Sequence, residues 1–477
     1  MSRISYVRKT PEGWEETIQR MMRLHGLVLA PADARQIEQY LADSHGLTAS
    51  EMEKIAYSLD YTDVAEQIPN DAVKNACTTC HSYAKLAGQR RTRQEWLNLK
   101  DFLLAMFPSL VYQHRFEDWP ALCDKALPWL ADTFPFETPE WKREHDQAAP
   151  KEGRWLATGH QLGRGDYVAT IDYHATADGG FETDALRHFA DGSTSDFKGR
   201  GLWFAGSAWR GAGRSDDVDR AREVFQLNAA GDVQHGRWFP YQHPELGAAE
   251  VRYRADSTAR IMAVYPRALR RGSDVTLKIY GANLNASGLS LGEGITVSKM
   301  IAAAPDHIEV EAHIEPAAQI GKRDIQSAGA SLKDALAIYE KVDYIRVEPE
   351  KTLARLGGAR AVKRLIQFEA HAFSNGPDAV PGTADDIDLG MVKAEWSLEE
   401  SQGSPADEDV KFVGSIDQNG LFTPAQDGPN PARPRSTNNA GDVWVNVSYK
   451  PEGANVALQT RAYLLVSVPA FRELLTP

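Results

Sequence analysis

Near residue 150 the hydrophobic pattern of this 477-residue chain changes period, and that change fixes the order of its parts. Before it, apolar residues recur at three- and four-residue spacings, the mark of helices with one buried face. Thr10-Pro11 reads as an N-cap with proline at the first helical position, and Trp14, Ile18, Met21, Met22 and His25 share a face up to Gly26. Pro31 to about Ala42 predicts a second helix with Ile37, Tyr40 and Leu41 inward. Thr48-x-x-Glu51 and Thr92-x-x-Glu95 each match a capping box. Behind the second box, Trp96, Leu99, Leu103 and Met106 form a stripe that Pro108 ends. A last helix is expected within Trp119 to Phe134.

After about residue 152 the pattern alternates. Tyr167, Ala169, Ile171 and Tyr173 alternate with other residues, and Val224 to Leu227 leads into a turn at Asn228 to Asp232. Several such runs between Gly-rich turns predict a small antiparallel sandwich or barrel over 153–255, filled by Trp155, Trp203, Phe204, Trp209, Trp238 and Phe239. Gly211-Ala212-Gly213-Arg214 reads there as a turn, without the strand and helix of a dinucleotide site. From Val264 onward, short β-rich runs such as Val275 to Gly281, Val443 to Tyr449 and Arg461 to Val468 match immunoglobulin-like sandwiches. Ile416 to Thr423 reads as a hairpin, and 401–409 and 426–440 as polar loops.

Charge and cysteine usage exclude several classes. Lys plus Arg number 53 against 66 Asp plus Glu, a formal net charge of −13. A phosphate backbone needs a basic footprint, so nucleic acid is excluded as the main partner. No apolar run reaches the roughly 18 residues of a membrane-spanning helix. Three cysteines cannot form a disulfide framework, which leaves them for other chemistry.

Two of the three stand in Cys77-Thr78-Thr79-Cys80-His81, the C-x-x-C-H spacing of covalent heme attachment. The two thiols form thioethers with the vinyl groups of one heme, and the adjacent imidazole meets the iron as axial ligand. Zinc would need two more Cys or His ligands, and a thioredoxin-like dithiol would need a βαβ setting. Candidates for a sixth iron ligand are Met21, Met22, His25, His45, Met52, Met106 and His114. Met106 follows the motif on the helix opened by Thr92, and Met22 and His25 share the first helix's apolar face. Arg90 and Arg91 are candidate contacts for the heme propionates. Cys123 lies in an apolar stretch and reads as a buried small hydrophobe. Asp378, Asp385, Asp386 and Asp388 crowd one loop, where Ca²⁺ competes with a simple solvated acidic turn. No Gly-x-Ser-x-Gly or His-Glu-x-x-His motif is present, and no catalytic constellation stands out.

The segments Lys9 to Trp14, Arg20 to Gly26 and Cys77 to Ala84 together resemble the heme-bearing alpha subunit of quinohemoprotein amine dehydrogenase. Gln89 through Trp96 and Phe107 to Leu110 extend the likeness. The resemblance implies a multidomain protein, α then all-β. Its parts would be a helical c-type cytochrome domain at 1–148, an antiparallel β-barrel at 149–258, and immunoglobulin-like β-sandwiches at 259–340 and 341–477. It further implies a periplasmic heterotrimer that oxidises primary amines, with a β-propeller subunit and a small subunit carrying cysteine tryptophylquinone. This chain would then pass electrons through heme c to a soluble cytochrome or copper protein, and would itself hold no amine-oxidising quinone. The alternative is a stand-alone single-heme cytochrome with immunoglobulin-like binding modules. The family carries two hemes, and the first C-x-x-C-H is expected just upstream of Ile4. The given start, MSRISYVRKTPEGW, holds neither that motif nor a signal peptide. Leu103 stands in the segment where the family has a histidine, which makes Met106, one turn along, the replacement candidate.

Overall fold

The computed structural model describes residues 4–114, 117–144, 152–358, 361–401, 407–433 and 436–469. The expected boundary at 148/149 and parts of the two polar loops (402–406 and 434–435) lie outside the described residues. The order is helical first, then all-β.

The first helix spans Pro11–His25, with the Thr10 side chain accepting from the Gly13 amide and Gly26 closing it at φ 69°. Pro31–Ser44 follows, and the expected inward face is corrected: Leu41 and Ala42 are buried, whereas Ile37 and Tyr40 are exposed. The Thr48 and Glu51 box is present in both directions. Thr92 caps as expected, but the helix behind it is broken at Asn98 into Arg93–Leu97 and Leu99–Met106. Trp119–Thr133 is the last long helix, capped by Asp118. A two-stranded sheet, Val7–Lys9 against Gln89–Arg91, sets Arg8 opposite Arg90. Both guanidinium groups close on Glu51: Arg8 through two bonds of 2.9 and 3.0 Å, Arg90 through one of 3.0 Å. Burial alone would raise the Glu51 pKa, but the Arg8 hydrogen bonds and the two cations outweigh it and hold the carboxyl below its ordinary range.

The next eight strands close into an antiparallel barrel: Gly153–Gln161, Gly165–Ala175, Phe181–Phe189, Thr194–Phe204, Ala208–Ser215, Ala221–Leu227, Val233–Pro240 and Ala248–Arg254. Closure is made by the last strand, which pairs with the first, Arg252 opposite Ala157. The alternation of Tyr167, Ala169, Ile171 and Tyr173 places all four in the interior core. Trp155, Trp203, Trp209 and Trp238 join them there, as expected. Phe204 and Phe239 do not. Neighbouring residues on a strand face opposite ways, so Phe204 packs into the helical core and Phe239 meets Tyr61 edge-on. The run Gly211 to Arg214 is strand, not turn. Gly211 and Gly213 lie beneath interior rings, where a Cβ would come within 2.8 Å of the Trp209 indole nitrogen and 2.4 Å of Phe197.

The barrel also encloses charge. Arg252 donates to Glu223 at 2.7 Å, pairs with Glu250, and lies 3.5 Å from the centre of the Phe225 ring. Trp209 donates to Glu223 at 3.1 Å, and Trp238 to Tyr167, which in turn donates to Glu250. Arg187 sits over Trp238 at 4.4 Å. Two buried arginines thus balance two buried glutamates.

Helices and barrel share one core. Phe204 and Ala208 belong to the same apolar cluster as Trp14, Met52, Trp96 and Trp119. Gly46 permits this contact, since a Cβ there would lie 2.8 Å from that of Ala205. Asp43 accepts the Ala205 amide at 2.8 Å, Arg237 donates to the Asp60 carbonyl at 2.8 Å, and Arg210 pairs with Glu12.

Two further β modules follow. In each, the opening strand switches sheets at a proline, which brings no ladder donor. Arg260–Tyr265 runs antiparallel to Asp274–Ala282, and after Pro266 Ala268–Arg270 runs parallel to Ala330–Tyr339. Likewise Tyr344–Glu348 pairs antiparallel with Glu369–Ser374, and after Pro349 Lys351–Arg355 runs parallel to Leu458–Ser467. Each module packs its facing sheets around a separate apolar core.

Candidate heme site

Helix Asp71–Ala76, capped by Asn70, delivers the chain to Cys77, and the motif forms the turn that follows. Four bonds fix that turn. Trp119 donates its indole N–H to the Ala76 carbonyl at 2.9 Å. Thr78 donates to the Lys74 carbonyl at 2.8 Å. On the far side, Glu66 accepts the Tyr83 and Ala84 amides at 2.6 and 2.9 Å, a carboxylate on the first amides of helix Tyr83–Ala87.

Cys77 and Cys80 are half-buried against the helical core, and the chain's three cysteines form no disulfide. Burial, with a smaller contribution from Cys80, pushes the Cys77 thiol up to about 11. A redox dithiol needs the opposite, a depressed thiol beside cations or a helix N-terminus. His81 faces the Ser82 carbonyl with Nδ1 at 3.0 Å. A carbonyl only accepts, so Nδ1 carries the proton and Nε2 keeps the lone pair. Burial lowers the His81 pKa, which favours that neutral ring. Two thiols three residues apart, an apolar wall and an imidazole whose Nε2 is left to coordinate make a donor set that fits covalent heme.

The other expected residues fall differently. Met106 is half-buried at the end of Leu99–Met106, whose Leu99, Leu103 and Leu104 pack on the same core as the two cysteines. Met22 and His25 are exposed at the end of the first helix. His114 comes within 3.4 Å of Thr79, inside the motif. Arg90 is buried, its guanidinium taken by Glu51 and by the Ala87 and Gln89 carbonyls, which replaces the expected propionate contact with a structural one. Arg91 is half-buried, bonded to Gln89 and lying over Trp96. Cys123 is buried in the helical core, where burial pushes its thiol up to about 12.

The four aspartates of the 378–388 loop are not gathered around one point. Asp385 accepts the Asp378 amide, Asp386 the Gly382 amide and the Tyr344 hydroxyl, and Asp388 pairs with Arg267. Glu66, Trp119 and the Arg8–Glu51–Arg90 group escaped the sequence reading. The pair Asn70 with Ser82, flanking the motif as helix caps, was the available signal for its placement.

Fold and site together define a heme-binding protein: a helical module bearing one C-x-x-C-H, mounted on a β scaffold of a barrel and two sandwiches. Sequence comparison gives the family. Residues 1–141 match the model for quinohemoprotein amine dehydrogenase A, alpha subunit, haem binding. Residues 148–255, 258–340 and 345–474 match alpha-subunit domains II, III and IV of the same protein. The chain belongs to the quinohemoprotein amine dehydrogenase alpha-subunit family. No curated protein matches it. Among solved structures it is similar to a de novo designed fluorescence-activating β-barrel, at 16% identity over 22% of this chain and 93% of that one, TM-score 0.19. It is also similar to human protocadherin-24 EC1-2, at 11% identity over 45% of this chain and 99% of that one, TM-score 0.19. Among the described residues no helix is long and apolar enough to cross a membrane.

Proposed function

We propose that this chain carries heme c on Cys77 and Cys80, with His81 as axial ligand, and relays electrons within an amine-oxidising complex. One observation supports the reading: His81 Nδ1 stands 3.0 Å from the Ser82 carbonyl, which keeps the proton on Nδ1 and leaves the lone pair on Nε2. Bound there, the group supplies a one-electron redox site. The chain's own part is positional. Cys77 and Cys80 would hold the group, the Ser82 carbonyl sets the imidazole tautomer, and the apolar core that contains Trp119 and Leu103 would limit the access of water.

Met106 is the proposed sixth ligand, supported by its helix sharing a core with the motif; Met22 and His25 are set aside because both are exposed. Arg91 is retained as the propionate contact. Electrons come from cysteine tryptophylquinone in a small partner subunit, beside a β-propeller subunit, and leave to a soluble cytochrome or copper protein in the periplasm. No residue here forms the Schiff base with the amine.

A pyridine hemochrome spectrum of exported protein is expected to show one heme c per C-x-x-C-H present. Anaerobic addition of a primary amine to the assembled complex is then expected to reduce that heme. A heme that forms but stays oxidised with every primary amine supports a stand-alone cytochrome instead.

A further inference from the structure

The barrel and both later modules meet at one cluster of charge. His160 and Asp166 come from the first two barrel strands, Arg267 from the middle module, and Glu369, His371 and Asp388 from the last. Strand register sets His160 opposite Asp166, and its Nδ1 lies 2.7 Å from that carboxylate. Its Nε2 stands 3.1 and 2.9 Å from Oε1 and Oε2 of Glu369. Glu369 is nearly buried, with 6% of its side chain exposed, and also accepts the Gly163 amide at 2.7 Å. The His371 ring centre is 6.4 Å from that of His160, with Nδ1 3.5 Å from Asp388 and Nε2 4.0 Å from Glu369. Arg267 spans the two aspartates, 3.6 Å from Asp166 and 3.1 Å from Asp388.

Geometry sets the charge. A neutral imidazole has one N–H, and a carboxylate only accepts. His160 faces carboxylate oxygens with both nitrogens, so both must donate and the ring is a cation. His371 likewise has a carboxylate within ion-pair distance of each nitrogen. Three cations then meet three carboxylates, and the junction is neutral. Loss of both ring protons would leave one guanidinium against three carboxylates, an excess of two negative charges where water is largely excluded.

We propose that these six side chains form an ionic latch, which holds the last module against the barrel while both imidazoles carry a proton and releases it when they lose it. Tyr265, beside Asp166 and Arg267, also faces the cluster, and burial holds its hydroxyl above the ordinary range, so it stays neutral. Arg346 and Glu348 stand opposite His371 and Glu369 in register, with Arg346 lying over the Tyr344 and Phe373 rings.

Hydrogen bonds to Asp166 and then to Glu369 push His160 up to about 10. Burial alone would lower His371, but the Asp388 and Glu369 carboxylates outweigh it and push it up to about 9. Burial alone would raise Glu369, but His160, His371 and the Gly163 amide hold it at about 2. The contribution of the imidazoles is therefore complete below their ordinary 6.5 and is lost as pH rises through about 9 to 10. That of Glu369 is complete above 4.5 and is lost only as pH falls through about 2. The latch opens in alkali.

The test uses the heme-loaded full chain. Histidine Cε1–H signals are followed by NMR against pH, with the two rings assigned from H160Q and H371Q. Both are expected to titrate at least about two units above the ordinary histidine value. Small-angle X-ray scattering reads the latch itself. Wild type is expected to shift to a larger radius of gyration as the two rings lose their protons. The H160Q/H371Q double variant, whose amides carry no charge, should show the larger radius already at neutral pH. H313Q, which alters a surface histidine paired with Asp274, should match wild type. Circular dichroism verifies that the β content of each variant is unchanged. Titration of either ring near the ordinary value, or a wild-type radius in the double variant at neutral pH, overturns the proposal.

Discussion

The helical region and the barrel bury charge in similar amounts but reach a packed state by different routes. Between Ala49 and Gln113 most helices are short, including five-residue Ala49–Glu53, six-residue Asp71–Ala76 and four-residue Leu110–Gln113. Helices below about 12 residues are marginal without tertiary support. The barrel strands run seven to eleven residues and close on themselves, so every strand has two hydrogen-bonded neighbours. Its interior arginines and glutamates neutralise one another. One region is self-sufficient; the other has short helices arranged around a motif that accepts a prosthetic group. The difference predicts which perturbation damages which region.

The largest contrast comes from removing the attachment chemistry. A C77A/C80A variant is expected to lose all covalent heme on a denaturing gel. Its helical region should also melt earlier, since a ligand held at a thousandfold its dissociation constant adds about 4 kcal/mol. The barrel's β signal in circular dichroism should hold to the wild-type temperature. Equal loss in both regions would break the comparison.

Next is R252M, which strands Glu223 and Glu250 inside the barrel. Removing one member of a buried ionic group costs about 3–5 kcal/mol, and chemical denaturation should report it with covalent heme content unchanged. E51Q does the corresponding damage among the helices, about 3 kcal/mol, by leaving Arg8 and Arg90 without their shared anion. Acid should reproduce it. The folded-state pKa of Glu51 lies below the unfolded value of about 4.3, so its stabilisation is complete above that value and disappears as pH falls through the lower one. A helical transition whose acid limb is identical in wild type and E51Q would count against this. The smallest effect is T48A, expected to cost about 1 kcal/mol in the helical transition alone by removing half a capping box.

What the sequence made legible follows from how far its signals reach. Caps and periods are local, so Thr10, Gly26, Thr48 and the alternation from Tyr167 to Tyr173 were readable, as was the C-x-x-C-H turn. Facing was harder. Phe204 and Trp203 are equally aromatic, and only strand parity relative to a closed barrel sends one inward and the other to the helices. The role of Arg90 depended on Glu51, 39 residues away, and His160 meets Glu369 across 209. Such pairs carry no periodic trace, because the chain between them sets the encounter without recording it.

The hairpin at Phe204 to Ala208 starts and ends in barrel strands but packs into the helical core, and this makes position a shared property of the two regions. A heme module joined by a tether would sample many orientations. Here the tip of a barrel hairpin is built into the same apolar core on which the motif cysteines pack, so the barrel works as a jig. Any subunit that seats against the outer barrel wall would find the cofactor's distance and angle already set, before contacting the helices at all.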